Sequence, residues 1–179
     1  MTALAPEFAI LQWLNVAEPF GLAQCRGKVV VVVAFQLLCP GCVEHALPQA
    51  KKIDARFTGA DVQVIGLHTV FEHHSAMQID TLRAFLHEYR IKFPVGIDAP
   101  AAKGPIPVTM ARYAMQGTPT LLLIDRNGVL RQTHFGHTDD MTLGAEIMAL
   151  ILDDGGEKTG AARGQNLTGD PMSQSGCRL

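Results

Sequence analysis

The hydrophobic pattern along this chain changes period several times, and each change marks an element. Val29 to Phe35 is apolar at every position and mostly β-branched, the mark of a strand buried on both faces. Arg26-Gly27-Lys28 ahead of it reads as a turn. Over residues 41–57 the period becomes helical: Val43, Ala46, Leu47, Ala50, Ile53 and Phe57 fall on one stripe. Pro48 lies inside this helix and predicts a kink, because it has no N–H for the helical ladder. Val62 to Leu67 predicts a second strand. Asp80 to Arg90 predicts a second helix, with Leu82, Phe85, Leu86 and Tyr89 at helical spacing and Asp80 as its N-cap.

A short strand is expected around Phe93–Ile97, a loop over the Pro-, Ala- and Gly-rich residues 98–107, and a short helix near Val108–Tyr113. Leu121–Asp125 and Val129–His134 flank Arg126-Asn127-Gly128. Asn-Gly predicts a hairpin, because both residues tolerate positive φ. Leu143, Ile147, Leu150 and Ile151 predict a closing amphipathic helix. After Asp154 the chain turns to Gly, Ser, Asn and charge, so residues 154–179 read as a flexible tail behind a folded domain over 1–153. Strands joined by helical crossovers must run parallel, so the first half predicts an α/β sheet with helices on both faces.

The chain has 179 residues, enough for a single domain with a sizeable core. Its net charge of −2 carries no basic patch for nucleic acid or an anionic membrane. The longest apolar run is Val29–Phe35, far short of the roughly 20 residues a bilayer needs. The first basic residue is Arg26, so no secretory leader is expected and the cytoplasm is the expected location. The cysteines Cys25, Cys39, Cys42 and Cys177 are too sparse for a disulfide framework.

Cys39-Pro40-Gly41-Cys42 stands where the strand gives way to the helix. A CxxC can be half of a zinc site, a staple or a redox centre. Zinc would need two further ligands, and His45, His68, His73 and His74 are available in sequence. The helical context favours redox chemistry, and that chemistry calls for neither metal nor cofactor.

The strand–CxxC–helix unit, Pro48 and the run Gly117-Thr118-Pro119-Thr120 before a strand together resemble the thioredoxin fold. "RGKVVVVVAF", "VIGLHT" and "GTPTLLLIDRNGVL" are similar to the TlpA/ResA-like thiol–disulfide oxidoreductases, which border the AhpC/TSA peroxiredoxin-like redoxins. The resemblance covers roughly residues 5–153 and implies a central mixed β-sheet flanked by helices on both faces. It departs at Leu38, where the family carries Trp, and at Val33, where thioredoxin carries a buried acid. Pro48 also lies six residues after Cys42, against the family's usual five.

Exchange needs a thiolate and a second thiol to resolve the mixed disulfide. Cys39 at a helix N-terminus is expected to be the nucleophile, because unpaired N–H groups and the helix dipole favour S⁻. Cys42, within the first turn, is the expected resolving thiol. Pro40 suits the first helical position and Gly41 leaves the sulfurs accessible. The resemblance implies that Pro119 is cis and faces the cysteines, leaving the Thr118 backbone free to bind an extended substrate β-fashion. Thr118, Leu38 and Pro40 are the expected substrate contacts. His45 and Glu44 are candidate bases for the buried thiol, against the plainer reading of a solvated helix face. His68, His73 and His74 read as surface histidines, Cys25 as a buried small hydrophobe, and Cys177 as an idle exposed thiol, with a mobile third thiol reaching the active site as the alternative.

The expected partners are a disulfide-bearing protein or small molecule and an electron donor such as a reductase or thiol. The main alternative is a peroxidase with Cys39 as peroxidatic cysteine. Peroxiredoxins place Thr or Ser three residues before that cysteine, and here the position holds Gln36. A third reading is a binding module that uses an exposed Leu37-Leu38 rim to hold a metal or haem-related client.

Overall fold

The computed structural model describes residues 4–153. The predicted tail and Cys177 lie outside the described residues. Six strands form one sheet in the order β1-β4-β3-β2-β5-β6. They are β1 Ile10–Leu14, β2 Val29–Phe35, β3 Val62–His68, β4 Val95–Asp98, β5 Thr120–Ile124 and β6 Leu130–Phe135. The helices are α1 Leu47–Arg56, α2 Ile79–Glu88, α3 Val108–Arg112 and α4 Asp140–Leu152. The β2–β3 and β3–β4 pairs are parallel, as their helical crossovers require, and the remaining pairs are antiparallel. β1 was not anticipated: its segment is exposed at Leu11 and Gln12, so it lacks a clean apolar alternation.

The all-apolar β2 sits in the middle of the sheet because helices cover both its faces. Val29, Val31, Val33 and Phe35 pack with α1, α2 and α4 residues such as Leu47, Leu82 and Ile147. Val30, Val32 and Ala34 pack on the other face with Leu22, Cys25, Met110 and Tyr113. Cys25 is thus the buried small hydrophobe expected of it.

The kink expected at Pro48 takes a particular form. Cys42–Ala46 is a π-helical turn, and the Leu47 N–H reaches back five residues to the Cys42 carbonyl. A π turn accommodates one more residue than an α turn, which accounts for the extra residue between Cys42 and Pro48. Regular α1 then starts at Leu47, with proline in its first turn.

One expectation is corrected. Gln78, not Asp80, is the N-cap of α2, and Asp80 stands in the first turn, where its charge still complements the helix dipole. At the β5–β6 turn only Gly128 takes positive φ, at 78°. The Asp125 carboxylate accepts the N–H groups of Asn127 and Val129 at 3.0 and 2.9 Å, so a side chain organises this turn.

Candidate active site

β2 ends at Phe35, and the chain passes through Gln36, Leu37 and Leu38 to Cys39. Helical backbone begins at Pro40, so Cys39 is the residue just before the helix. The Cys42 N–H donates to Cys39 Sγ at 3.2 Å, a contact that favours negative charge on that sulfur. The two cysteine sulfurs are bonded, with their Cα atoms 5.2 Å apart. Burial distinguishes the two sulfurs: Cys39 is only partly covered, whereas Cys42 is 0% exposed. An incoming disulfide can meet Cys39, and Cys42 can meet only Cys39.

The Thr118–Pro119 peptide bond is cis. Cys39 Sγ lies 3.4 Å from the Thr118 carbonyl oxygen, which brings the β5 entry loop against the cysteines across 79 residues of sequence. Gly41 faces the proline ring: a Cβ at this position would stand 3.4 Å from Pro119 Cδ. Pro40 and Leu38 are exposed beside them, Leu38 at 59%. Leu37 is buried at 7%, which corrects the expected Leu37-Leu38 rim, because Leu37 continues the inward-facing side of β2.

Phe135 carried no signal in the sequence. It is 56% exposed on edge strand β6, and its ring lies over Gly117, 3.1 Å from where a Cβ would sit. Any larger residue at 117 would displace that ring. In the sequence it is a lone aromatic at a strand end, and the β5–β6 register had to be known to place it at the site.

The structure places His45 and Glu44 on the exposed side of the π turn, with His45 Nε2 4.0 Å from Glu44 Oε2. The His45 ring faces that of His137, with centroids 5.0 Å apart. Among the described residues, neither His45 nor Glu44 hydrogen-bonds to a cysteine sulfur. His73 and His74 are exposed, but His68 is not the surface histidine expected. It is 1% exposed, packed against the Phe35 ring, because position 68 falls on the same sheet face as the β2 core residues. Its burial pushes the imidazole pKa down to about 4. Gln36 is also buried, and its Oε1 accepts the Phe71 N–H at 3.4 Å, tying together the loops after β2 and β3. Among the described residues no cluster of three or more His, Cys, Asp or Glu is arranged to hold a metal ion.

This geometry can be set beside known proteins. The family model for Redoxin matches residues 3–146. The crystal structure of a thioredoxin-like superfamily protein superposes with a TM-score of 0.81 at 58% identity, covering 83% of this chain and 96% of that one. A thiol-disulfide isomerase from Corynebacterium glutamicum gives a TM-score of 0.81 at 46% identity, covering 84% of this chain and 97% of that one. NHL repeat-containing protein 2 from Homo sapiens is 26% identical over 157 residues, which are 85% of this chain. The chain spans only 20% of that relative's length. The α/β arrangement of this chain, a mixed sheet between helices, is the thioredoxin-like fold of its structural neighbours.

Proposed function

This chain belongs to the Redoxin family, and from that premise we propose that it reduces protein or small-molecule disulfides through Cys39 and Cys42. It is an oxidoreductase of thioredoxin-like type. The observation that carries the reading is the bonded pair itself. A partly exposed sulfur stands before a helix, its buried partner sits in the first turn, and the Thr118–Pro119 loop lies against them.

In the dithiol form, Cys39 S⁻ attacks one sulfur of the substrate disulfide. A mixed disulfide forms, and the first substrate thiolate leaves and takes up a proton. Cys42 then loses its proton and attacks Cys39 Sγ, which releases the second substrate thiol and leaves the Cys39–Cys42 disulfide. The substrate gains two electrons and two protons in all, and the external donor returns them to the cysteines. The Thr118 backbone, with Leu38 and Pro40 at the rim, is the surface against which an extended substrate would lie. The cytoplasm remains the proposed location, and fractionation of the source cell decides it.

Cys39→Ser should abolish disulfide reduction, because no thiolate remains before the helix. Cys42→Ser should still attack, but its mixed disulfide should persist and be recoverable by trapping. Fast hydrogen peroxide turnover with sulfenic acid building up in Cys42→Ser, alongside negligible disulfide reduction, would transfer the assignment to the peroxidase. Equal activity in both serine variants would end the two-cysteine mechanism.

A further inference from the structure

At the end of the sheet opposite the cysteines, a cavity of about 660 Å³ lies where α2 ends and the chain turns towards β4, beside the close of β1. The parallel strands set this separation: Cys39 follows the carboxyl end of β2, whereas residues 90–92 precede the amino end of β4. Arg83, Arg90 and Lys92 line the cavity with His87 and Asn15, and Glu88 is the one acid of its lining among the described residues. All three cations are exposed, so their charged heads are open to a ligand. Among the described residues none of the three donates a side-chain hydrogen bond or stands in an ion pair. Lys52 and Arg131, by contrast, stand against Asp140 and Asp125. Unpaired like charges gathered in one cavity repel one another until an anion joins them.

Helix capping does not account for the cluster. Backbone already takes the carbonyls that end α2: the Tyr89 N–H donates to Phe85 at 2.9 Å, the Arg90 N–H to His87 at 3.1 Å and the Ile91 N–H to Leu86 at 2.9 Å. This is a Schellman turn, whose closing residue takes the left-handed conformation that favours glycine. Here that residue is Arg90, at φ 52°. Asn15 is left-handed too, at φ 59°, and its Nδ2 holds the Ile91 and Phe93 carbonyls at 2.9 and 3.1 Å, which fixes the backbone between the cations. An arginine at a position that suits glycine points to a use for its side chain, since such strained residues gather at ligand sites.

We propose that this cavity binds the dianionic phosphate group of a small phosphate monoester. Three fixed cations against one carboxylate leave the lining a surplus of two positive charges, in a chain whose net charge is −2. A phosphate monoester near neutral pH carries about −1.5 to −2, which matches that surplus better than a single carboxylate does. Arg83 and Arg90 supply planar forks that meet phosphate oxygens in pairs, Lys92 a compact charge, and the His87 ring a further N–H donor.

The test uses the full chain and NMR, with three probes that share a short polyol body: glycerol 3-phosphate, singly charged glycerate and uncharged glycerol. Glycerol 3-phosphate should bind saturably, shift the Arg83 and Arg90 Nε–H resonances and the backbone amides of residues 90–92, and bind more weakly as salt rises. Glycerate should bind several-fold more weakly, and glycerol should not bind. Arg90→Gly removes one guanidinium and the left-handed strain together. Its affinity should drop about tenfold, the share of one charge-assisted contact, while its melting temperature holds or rises. Lys92→Gln, which leaves the turn untouched, should also weaken binding and flatten its salt dependence. Nothing in this readout passes through Cys39 or Cys42, so its failure leaves the proposed disulfide chemistry standing. Any of four results overturns the proposal: no saturable binding of glycerol 3-phosphate; equal binding of glycerate, which would mean that any anion is held; shifts spread over cations outside the cavity, such as Arg56 and Lys103, which would mean nonspecific attraction; or affinity retained in both Arg90→Gly and Lys92→Gln. A melting temperature that falls in Arg90→Gly would assign Arg90 to the fold, and Lys92→Gln alone then decides the site.

Discussion

At the scale of single residues, His68 couples the fold to pH. Its folded-state pKa is pushed down to about 4 from 6.5 by burial. Between those values an unfolded chain holds a proton that the folded chain rejects, so stability falls as pH drops through this window. The loss should reach up to about 3 kcal/mol near pH 4. Urea unfolding at a series of pH values would measure it, and His68→Phe should show a flatter profile than the unmodified chain between pH 6.5 and 4. His45 and Glu44 pose a different question. Cys42 is fully buried and must lose a proton during resolution, whereas both candidate bases are solvated. We propose His45 as the relay and Glu44 as the alternative, acting when the first turn admits water. His45→Gln should slow resolution several-fold and move the pH profile of exchange. Unchanged profiles in both His45→Gln and Glu44→Gln would return the two residues to the helix surface.

At the scale of elements, the β4–α3 junction hangs on a single carboxylate. Asp98 ends β4 and accepts the N–H groups of Thr109 and Met110 in the first turn of α3, together with the Thr69 hydroxyl from the end of β3. Removing it strands three buried donors. Asp98→Ala should cost about 2–3 kcal/mol by urea unfolding. Asp98→Asn, which keeps the acceptor oxygen, should recover part of this. No periodic pattern announced this cap, because its partners stand 11, 12 and 29 residues away. The π turn at Cys42–Ala46 is the opposite case. Its cause, the odd spacing of Pro48, was visible in the sequence, and only its form was not.

At the scale of the whole molecule, the core described over residues 4–153 is closed on both sheet faces without the last residues of the chain. Removing 154–179 should therefore leave the melting temperature within about 2 °C, the shift expected of less than roughly 0.5 kcal/mol in a domain of this size. A larger fall would mean that the segment docks on the core. If turnover drops while the melting temperature holds, Cys177 takes part in exchange. No helix among the described residues is long and apolar enough to cross a membrane.

Local pattern was sufficient wherever a residue's fate depends on its near neighbours. The unbroken apolar run made β2 central, the helical stripe set the α1 register, and the CxxC at their junction marked the bonded cysteines. Pro119 could be tied to Cys39 because the run before β5 resembles a known arrangement, not because spacing alone brings them together. Pairing across the sheet decided the rest. Strand register turned His68 inward against Phe35 and laid Phe135 over Gly117. The same pairing made an edge strand of the weakly patterned Ile10–Leu14. A side chain's face and partners in a sheet depend on which strands lie beside its own, and those neighbours come from distant parts of the chain.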